Sequence, residues 1–265
     1  MSLQYKGAVF FDYDGTLTDE KDGVFFPSKK TVEAIKKLNE NGYLTVLATG
    51  RTLAYAPIHT ADFGGVITSN GAFAKVGDEE IYKLYMERGL LLKIISELDS
   101  LGLYYAIEDE DCSYAKDLYN KDFKNMLDNF SIPLSIYKPL DKDKIPDGVK
   151  LIFPYKDADQ LLYLKNKYKD ELTFVKHRKI NSCDCNAIGN DKVTGVKKIV
   201  EKFGIKRENV YAFGDGTNDF HMMEYAKTSV ASFYHEPMLD KVSCFVCQKV
   251  REEGVYKALK ELELI

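Results

Sequence analysis

The stretch Ala8-Val9-Phe10-Phe11-Asp12-Tyr13-Asp14-Gly15 constrains this chain more than any other. Four apolar residues in a row read as a strand buried on both faces, the habit of a parallel sheet covered by helices. The strand, read as residues 8–13, runs into two carboxylates two positions apart, and Gly15 breaks it. In open α/β sheets, ligands meet the protein just beyond the carboxyl ends of the strands. Neighbouring carboxylates repel, and both resist burial. One remedy is a bound cation, and Mg²⁺ prefers such hard oxygen ligands. Another is a division of labour in which one aspartate attacks phosphorus and the other carries a proton. Taken alone, Asp-Gly after a strand is equally a turn.

The first seventy residues repeat the strand theme. Ser28 is an N-cap candidate before Val32, Ile35 and Leu38 at helical spacing, and Gly42 closes that helix. Residues 43–49 read as a strand ending in Thr49-Gly50-Arg51, and 66–68 as a third, ending in Ser69-Asn70-Gly71. This order predicts a doubly wound parallel sheet, a Rossmann-like α/β core. From about residue 75 the texture changes. Helices are expected over 82–101, 117–130 and 158–168, and strands over 103–107, 134–137, 149–153 and 172–175. About 110 residues of this kind suffice for an α+β domain with its own core. At Asp191-Lys192 the first texture returns. A helix with Val193, Val196, Ile199 and Val200 leads to a strand over 209–213 that ends in Gly214-Asp215-Gly216-Thr217-Asn218-Asp219. A helix through Met222, Met223 and Ala226 follows, then short strands at 229–231 and 244–246 and a closing helix over 252–262. The expected architecture is one core domain, 1–74 with 188–265, interrupted by an inserted α+β cap, 75–187.

Composition excludes several classes. Among 265 residues, 37 are Lys or Arg and 41 are Asp or Glu, a net charge of −4 with no basic arm, which argues against nucleic acid. No run approaches the roughly 18 apolar residues that span a bilayer, and residues 1–6 lack the apolar core of a signal peptide. The expectation is a cytoplasmic chain, monomeric or a weak homodimer, away from membranes. The five cysteines, Cys112, Cys183, Cys185, Cys244 and Cys247, read as free thiols rather than a zinc site. Cys244 and Cys247 fall in an apparent buried strand.

Four stretches now fall at strand ends or a helix start: Asp12/Asp14, Thr49-Gly50, Lys192 and Asp215/Asn218/Asp219. Each has a bland reading as a turn or a surface lysine. Their joint order is what phosphoryl transfer needs, since that chemistry is mostly positioning and charge neutralisation. Asp12, Asp215 and Asp219 are candidate Mg²⁺ ligands. Thr49 and the Gly50 amide are candidate cradles for phosphate oxygens, and Lys192 supplies a point charge.

With Asp12-Tyr-Asp-Gly-Thr, Ala48-Thr-Gly-Arg51, Ser69-Asn-Gly-Ala72, Lys192, Gly214-Asp-Gly-Thr-Asn-Asp219 and Glu253-Gly254-Val255, the chain resembles the haloacid dehalogenase superfamily over its whole length. Within it the chain looks like the Cof-type phosphatases. The resemblance implies Asp12 as nucleophile and Asp14 as acid/base, with the Asp14 carbonyl a further metal ligand. It implies Thr49, Gly50 and Lys192 around the phosphate, Asn218 orienting the phosphate or Lys192, and Asp215 and Asp219 completing the metal shell. It implies a Mg²⁺-dependent phosphatase for a small phosphorylated metabolite, working through an aspartyl-phosphate. A non-catalytic phosphometabolite-binding protein and a sugar phosphomutase are the alternatives. The short interval from Asp12 to Thr49 and the long one from Thr49 to Lys192 resemble the family's cap after the third strand, where specificity is expected. In that segment His177, Arg178 and Lys179 form a basic cluster that could meet an anionic substrate or, the favoured reading, lie on solvated surface. Two departures stand out: Val193 follows Lys192 where glycine is usual, and Ser232-Phe233-Tyr234-His235-Glu236 replaces the usual Met-Gly-Asn-Ala.

Overall fold

The computed structural model describes residues 4–177 and 180–265. In chain order they form β1 (Gly7–Phe11), α1 (Lys29–Glu40), β2 (Tyr43–Ala48), β3 (Gly65–Thr68), β4 (Phe73–Val76), β5 (Glu79–Lys83), α2 (Arg88–Ser100), β6 (Ala106–Glu108), β7 (Ser113–Ala115), α3 (Lys121–Phe130), β8 (Tyr137–Pro139), β9 (Lys150–Pro154), α4 (Ala158–Lys167), β10 (Leu172–Lys176), β11 (Ser182–Ala187), α5 (Lys192–Lys202), β12 (Val210–Gly214), α6 (Phe220–Tyr225), β13 (Thr228–Ala231), β14 (Phe245–Val246) and α7 (Gly254–Glu261). The chain divides into two units. One comprises Met1–Thr49, Pro57–Tyr82 and Asp191–Ile265, the other Gly50–Ala56 and Lys83–Asn190.

The first unit is built on a sheet in the order β14-β13-β12-β1-β2-β3-β4-β5, parallel from β14 through β3. All five residues of β1 are buried, which explains their unbroken apolarity. Alternate side chains take opposite faces. Ala8 and Phe10 join Val196, Ile199, Met222 and Met223 from α5 and α6 in one core, while Phe11 stacks on Phe213 at 5.0 Å. On α1, Ser28 caps the first turn by accepting the Thr31 amide. The sheet does not stop at residue 74. β4 turns back antiparallel on β3 and β5 pairs beyond it, so the first unit extends to Tyr82. The helix expected from residue 82 therefore starts only at Arg88, where the Glu87 carboxylate accepts the Gly89 and Leu90 amides.

The second unit carries a sheet in the order β10-β11-β9-β6-β7-β8, antiparallel except between β7 and β8. One face buries Leu91, Ile94 and Leu98 of α2 and Leu161 and Leu164 of α4 against Leu151, Phe153, Cys183 and Cys185. The other packs Phe123, Met126 and Leu127 of α3 on Ala106, Ala115 and Ile152. Residues 50–56 group with this unit because the Leu53 amide donates to Glu110 Oε2 at 2.6 Å and the Tyr55 hydroxyl to Glu108 Oε2 at 3.3 Å. Residues 134–136, expected in a strand, form a 3₁₀ turn after Pro133 instead, and the strand begins at Tyr137. β14 is an edge strand of two residues with Cys244 and Val246 exposed, so its apolar run is not the buried strand expected; Cys247 alone of that segment's two cysteines is buried. All five cysteines are free. His177 is half-buried, not solvated: its Nδ1 meets Ser182 Oγ at 2.7 Å and its Nε2 lies 3.4 Å from Asp184. Arg178 and Lys179 lie outside the described residues. Among the described residues no helix is long and apolar enough to cross a membrane.

Candidate active site

The carboxyl ends of β1 and β12 lie side by side, because the two strands pair in parallel with Phe11 opposite Phe213. The Asp12 amide donates to the Phe213 carbonyl at 3.0 Å, so Asp12 follows β1 in the same direction. β12 runs on into Asp215, and the next turn brings back Asp219. The Asp219 Oδ2 atom accepts the amides of Asp215 at 3.0 Å and Gly216 at 2.8 Å, which holds that turn closed. Asp12, Asp215 and Asp219 are all buried, and each offers a carboxylate oxygen within 4.8 Å of the others.

Lys192, wholly buried, enters this cluster from the first turn of α5, whose N-cap Asp191 accepts the Val193 amide. Its Nζ lies 2.6 Å from Asp12 Oδ1 and 2.6 Å from Asp219 Oδ1. Burial pushes the Asp12 carboxyl well up; Lys192 opposes that shift, and Asp219 and Asp215 reinforce it. Burial alone would lower the Lys192 ammonium, but Asp12 and Asp219 hold it above its usual range. One ammonium thus faces three carboxylates, an imbalance that is expensive away from water. Asp12 Oδ2 is buried and has no hydrogen-bond partner among the described residues. Three hard oxygen donors with excess negative charge fit a divalent cation such as Mg²⁺.

The remaining expected residues are placed as follows. Thr49 is buried, and its carbonyl accepts the Asn70 amide at 3.2 Å. The Asn70 side-chain oxygen in turn accepts Asn218 Nδ2 at 3.0 Å, joining two of the expected phosphate ligands through a residue outside the expected set. Gly50 follows Thr49 but groups with the second unit. Asp14 is exposed, and its carboxylate is outside the cluster of three.

A family model for haloacid dehalogenase-like hydrolases matches residues 9–259. The chain belongs to that family. This haloacid dehalogenase-like hydrolase is 29% identical over 270 residues to a putative bifunctional phosphatase/peptidyl-prolyl cis-trans isomerase of Streptococcus pyogenes; the match covers 99% of the chain but only 56% of that relative. It is 27% identical over 266 residues to the putative phosphatase YkrA of Bacillus subtilis, covering 97% of this chain and 98% of YkrA. A crystal structure of a hypothetical protein from Geobacillus kaustophilus superposes with a TM-score of 0.84 at 27% identity, covering 98% of this chain and all of that one.

Besides Asn70, Thr16 and Ser232 are tied to the acid cluster. The Thr16 hydroxyl donates to Asp215 Oδ1 at 3.3 Å and receives the Ser232 hydroxyl at 3.1 Å. Asn70 follows Ser69 in a turn where both residues are left-handed, with φ of 53° and 55°. Such conformations cluster at functional sites, and Asn is among the few residues that tolerate them.

Proposed function

We propose that this hydrolase is a Mg²⁺-dependent phosphomonoesterase acting on a small phosphorylated metabolite, with Asp12 as nucleophile. The observation that carries the reading is Asp12 Oδ2, buried and without a hydrogen-bond partner among the described residues, on a carboxylate whose other oxygen is fixed by Lys192. An oxygen held in place without a competing hydrogen bond keeps its lone pairs for phosphorus. In the first half-reaction an Asp12 oxygen bonds to phosphorus, the ester P–O bond breaks, and Asp14 gives a proton to the departing alkoxide. In the second, Asp14 takes a proton from water as the water oxygen bonds to phosphorus. The bond between Asp12 and phosphorus breaks, inorganic phosphate leaves, and both carboxylates return to their starting states. Exposure suits Asp14 to this task, because its proton must reach first a leaving group and then water. Lys192, Thr49 and Asn218 are the candidates to hold the phosphoryl oxygens, and the Gly50 amide is a fourth. Mg²⁺ held by Asp12, Asp215 and Asp219, with the Asp14 carbonyl as a further ligand, would neutralise the charge of the phosphoryl oxygens during transfer.

The test is phosphate release from p-nitrophenyl phosphate by the purified chain. Turnover is expected to require Mg²⁺, to stop with EDTA, and to fall at least about a thousandfold in Asp12→Asn. Turnover retained in that variant would remove Asp12 as nucleophile.

A further inference from the structure

Three segments of the first unit emerge from the same edge of its sheet as Asp12 and Asp215. The segment after β1 carries Lys21 in a 3₁₀ turn over Glu20–Asp22. The segment after β13 carries Ser232, Phe233 and Tyr234. The segment after β14 carries Lys249. Since β14, β13, β12 and β1 are adjacent and parallel, these segments gather at the carboxyl ends of neighbouring strands.

The middle segment is tied directly to the acids. The Ser232 hydroxyl donates to Thr16 Oγ1, whose own hydroxyl donates to Asp215 Oδ1. Four residues on, the Glu236 amide donates to the Asp215 carbonyl at 2.9 Å. Phe233 and Tyr234 therefore sit on a loop pinned at both ends to the acid cluster or its supports. Their rings meet edge to face at 4.9 Å, and Phe233 stays 47% exposed.

Two ammonium groups gather on these rings. Lys249 Nζ lies 5.0 Å from the Phe233 centroid and 5.2 Å from that of Tyr234, and Lys21 Nζ lies 5.3 Å from the Tyr234 centroid. Arg251 lies two residues beyond Lys249 and engages the local carboxylate Asp22 at 3.4 Å. Tyr234 and, more weakly, Asp22 hold the Lys249 ammonium above its usual range while Arg251 opposes them, but the ion pair that Asp22 makes among the described residues is with Arg251. Ring faces attract cations but leave their formal charge in place. Two positive charges sharing one ring, beside a site that handles phosphate dianions, have a natural counterpart in a second anion.

We propose that Lys21 and Lys249, mounted on Tyr234 and Phe233, form a second anion subsite beside the phosphoryl site. The preferred substrate is then a phosphate ester whose alcohol portion carries a further carboxylate or phosphate. The proposal rests on the phosphomonoesterase reading and narrows its substrate class.

Matched esters test it. 3-Phosphoglycerate and sn-glycerol 3-phosphate differ by a carboxylate; fructose 1,6-bisphosphate and fructose 6-phosphate differ by a phosphate. The wild type is expected to favour the doubly anionic member of at least one pair, and the pair that responds identifies the anion. In the double variant Lys21→Gln/Lys249→Gln, KM for that ester should rise about tenfold, the size of one or two lost charge-assisted contacts, with kcat kept. The singly anionic partner should be unaffected. Lys21→Arg/Lys249→Arg should restore the preference, and raising the salt should erode it. Lys260→Gln is the control: its ammonium sits 5.4 Å from the Tyr256 ring in a similar contact on α7. Melting curves of each variant separate misfolding from a lost contact. If wild type and double variant treat both members of each pair alike while p-nitrophenyl phosphate still turns over through Asp12, this proposal falls and the phosphatase reading stands. If no ester is hydrolysed, both fall.

Discussion

Lys192 Nζ and Asp12 Oδ1 are 2.6 Å apart, although 180 residues of chain separate them. The contact closes because α5 begins with Lys192, directly after the N-cap Asp191, so its side chain reaches back to the carboxyl end of β1. It leaves one carboxylate oxygen of Asp12 fixed and the other without a hydrogen-bond partner among the described residues. Replacing Lys192 by Met removes the ammonium that bridges Asp12 and Asp219. We predict that phosphate release falls at least a hundredfold, the scale for losing a group aimed at transition-state charge. Breaking a buried ion pair also costs about 3 kcal/mol in stability. Steady-state kinetics and urea unfolding without metal would measure the two effects separately. Wild-type turnover in Lys192→Met would remove the lysine from the chemistry.

The same imbalance predicts a metal effect on stability. A ligand that binds only the folded state stabilises it by about 2.7 kcal/mol at a hundred times its dissociation constant. Saturating Mg²⁺ should therefore raise the melting temperature of the wild type by several degrees. In Asp215→Asn and Asp219→Asn the shift should shrink or vanish, because each loses one of the three converging carboxylates. Differential scanning fluorimetry across a Mg²⁺ series checks this without any substrate. An equal shift in all three proteins would place the cation elsewhere.

How far the sequence disclosed this arrangement depended on how local each signal was. The buried run into Asp12, the Ser28 cap and the glycines after helices are local, and the strands and helices of the first unit largely follow from them. Residues 82–87 misled because apolar Leu84 and Met86 extend the stripe of α2 backward; pairing with β4, a tertiary event, makes 79–83 a strand instead. The acids and Lys192 were legible because they stand at strand and helix ends. Asn70, Thr16 and Ser232 were not assigned, since their roles are hydrogen bonds to residues 148 to 216 positions away. The ion cluster of the second unit was equally hidden, with Glu108, Lys150 and Asp184 on three separate strands.

Gly15 offers a test of how tightly the site is built. Its φ is 104°, and a Cβ added there would lie 2.4 Å from Asp215 Oδ2. Alanine is therefore penalised twice, by a left-handed backbone and by a collision with a candidate metal ligand. Gly15→Ala should lose about 1–3 kcal/mol of stability and should weaken Mg²⁺ activation more than it raises KM. Gly23, also left-handed at φ 73° but with open space around its Cβ, gives the comparison. Gly23→Ala should be destabilised slightly and keep its metal response. Identical metal responses in the two variants would mean that Asp215 does not need its present position.

The second unit makes a prediction about acid. Asp184, on β11, is buried, which by itself would raise its carboxyl. Lys150 Nζ at 2.9 Å and the neighbouring His177 outweigh burial and bring it from the ordinary 3.8 down to about 2. Glu108 shares the same lysine at 3.0 Å, and the Tyr137 and Tyr55 hydroxyls donate to Glu108. A carboxyl whose folded pKa lies below its unfolded one stabilises the fold above the unfolded value. That contribution is lost as pH falls through the folded value. The shift corresponds to about 2 kcal/mol, complete near neutral pH and fading between roughly pH 4 and pH 2. Urea unfolding of wild type and Asp184→Asn at pH 7, 4 and 3 should give a stability gap that narrows with acid. A gap that stays constant would mean that loss of packing, rather than the Asp184 charge, accounts for the variant's lower stability.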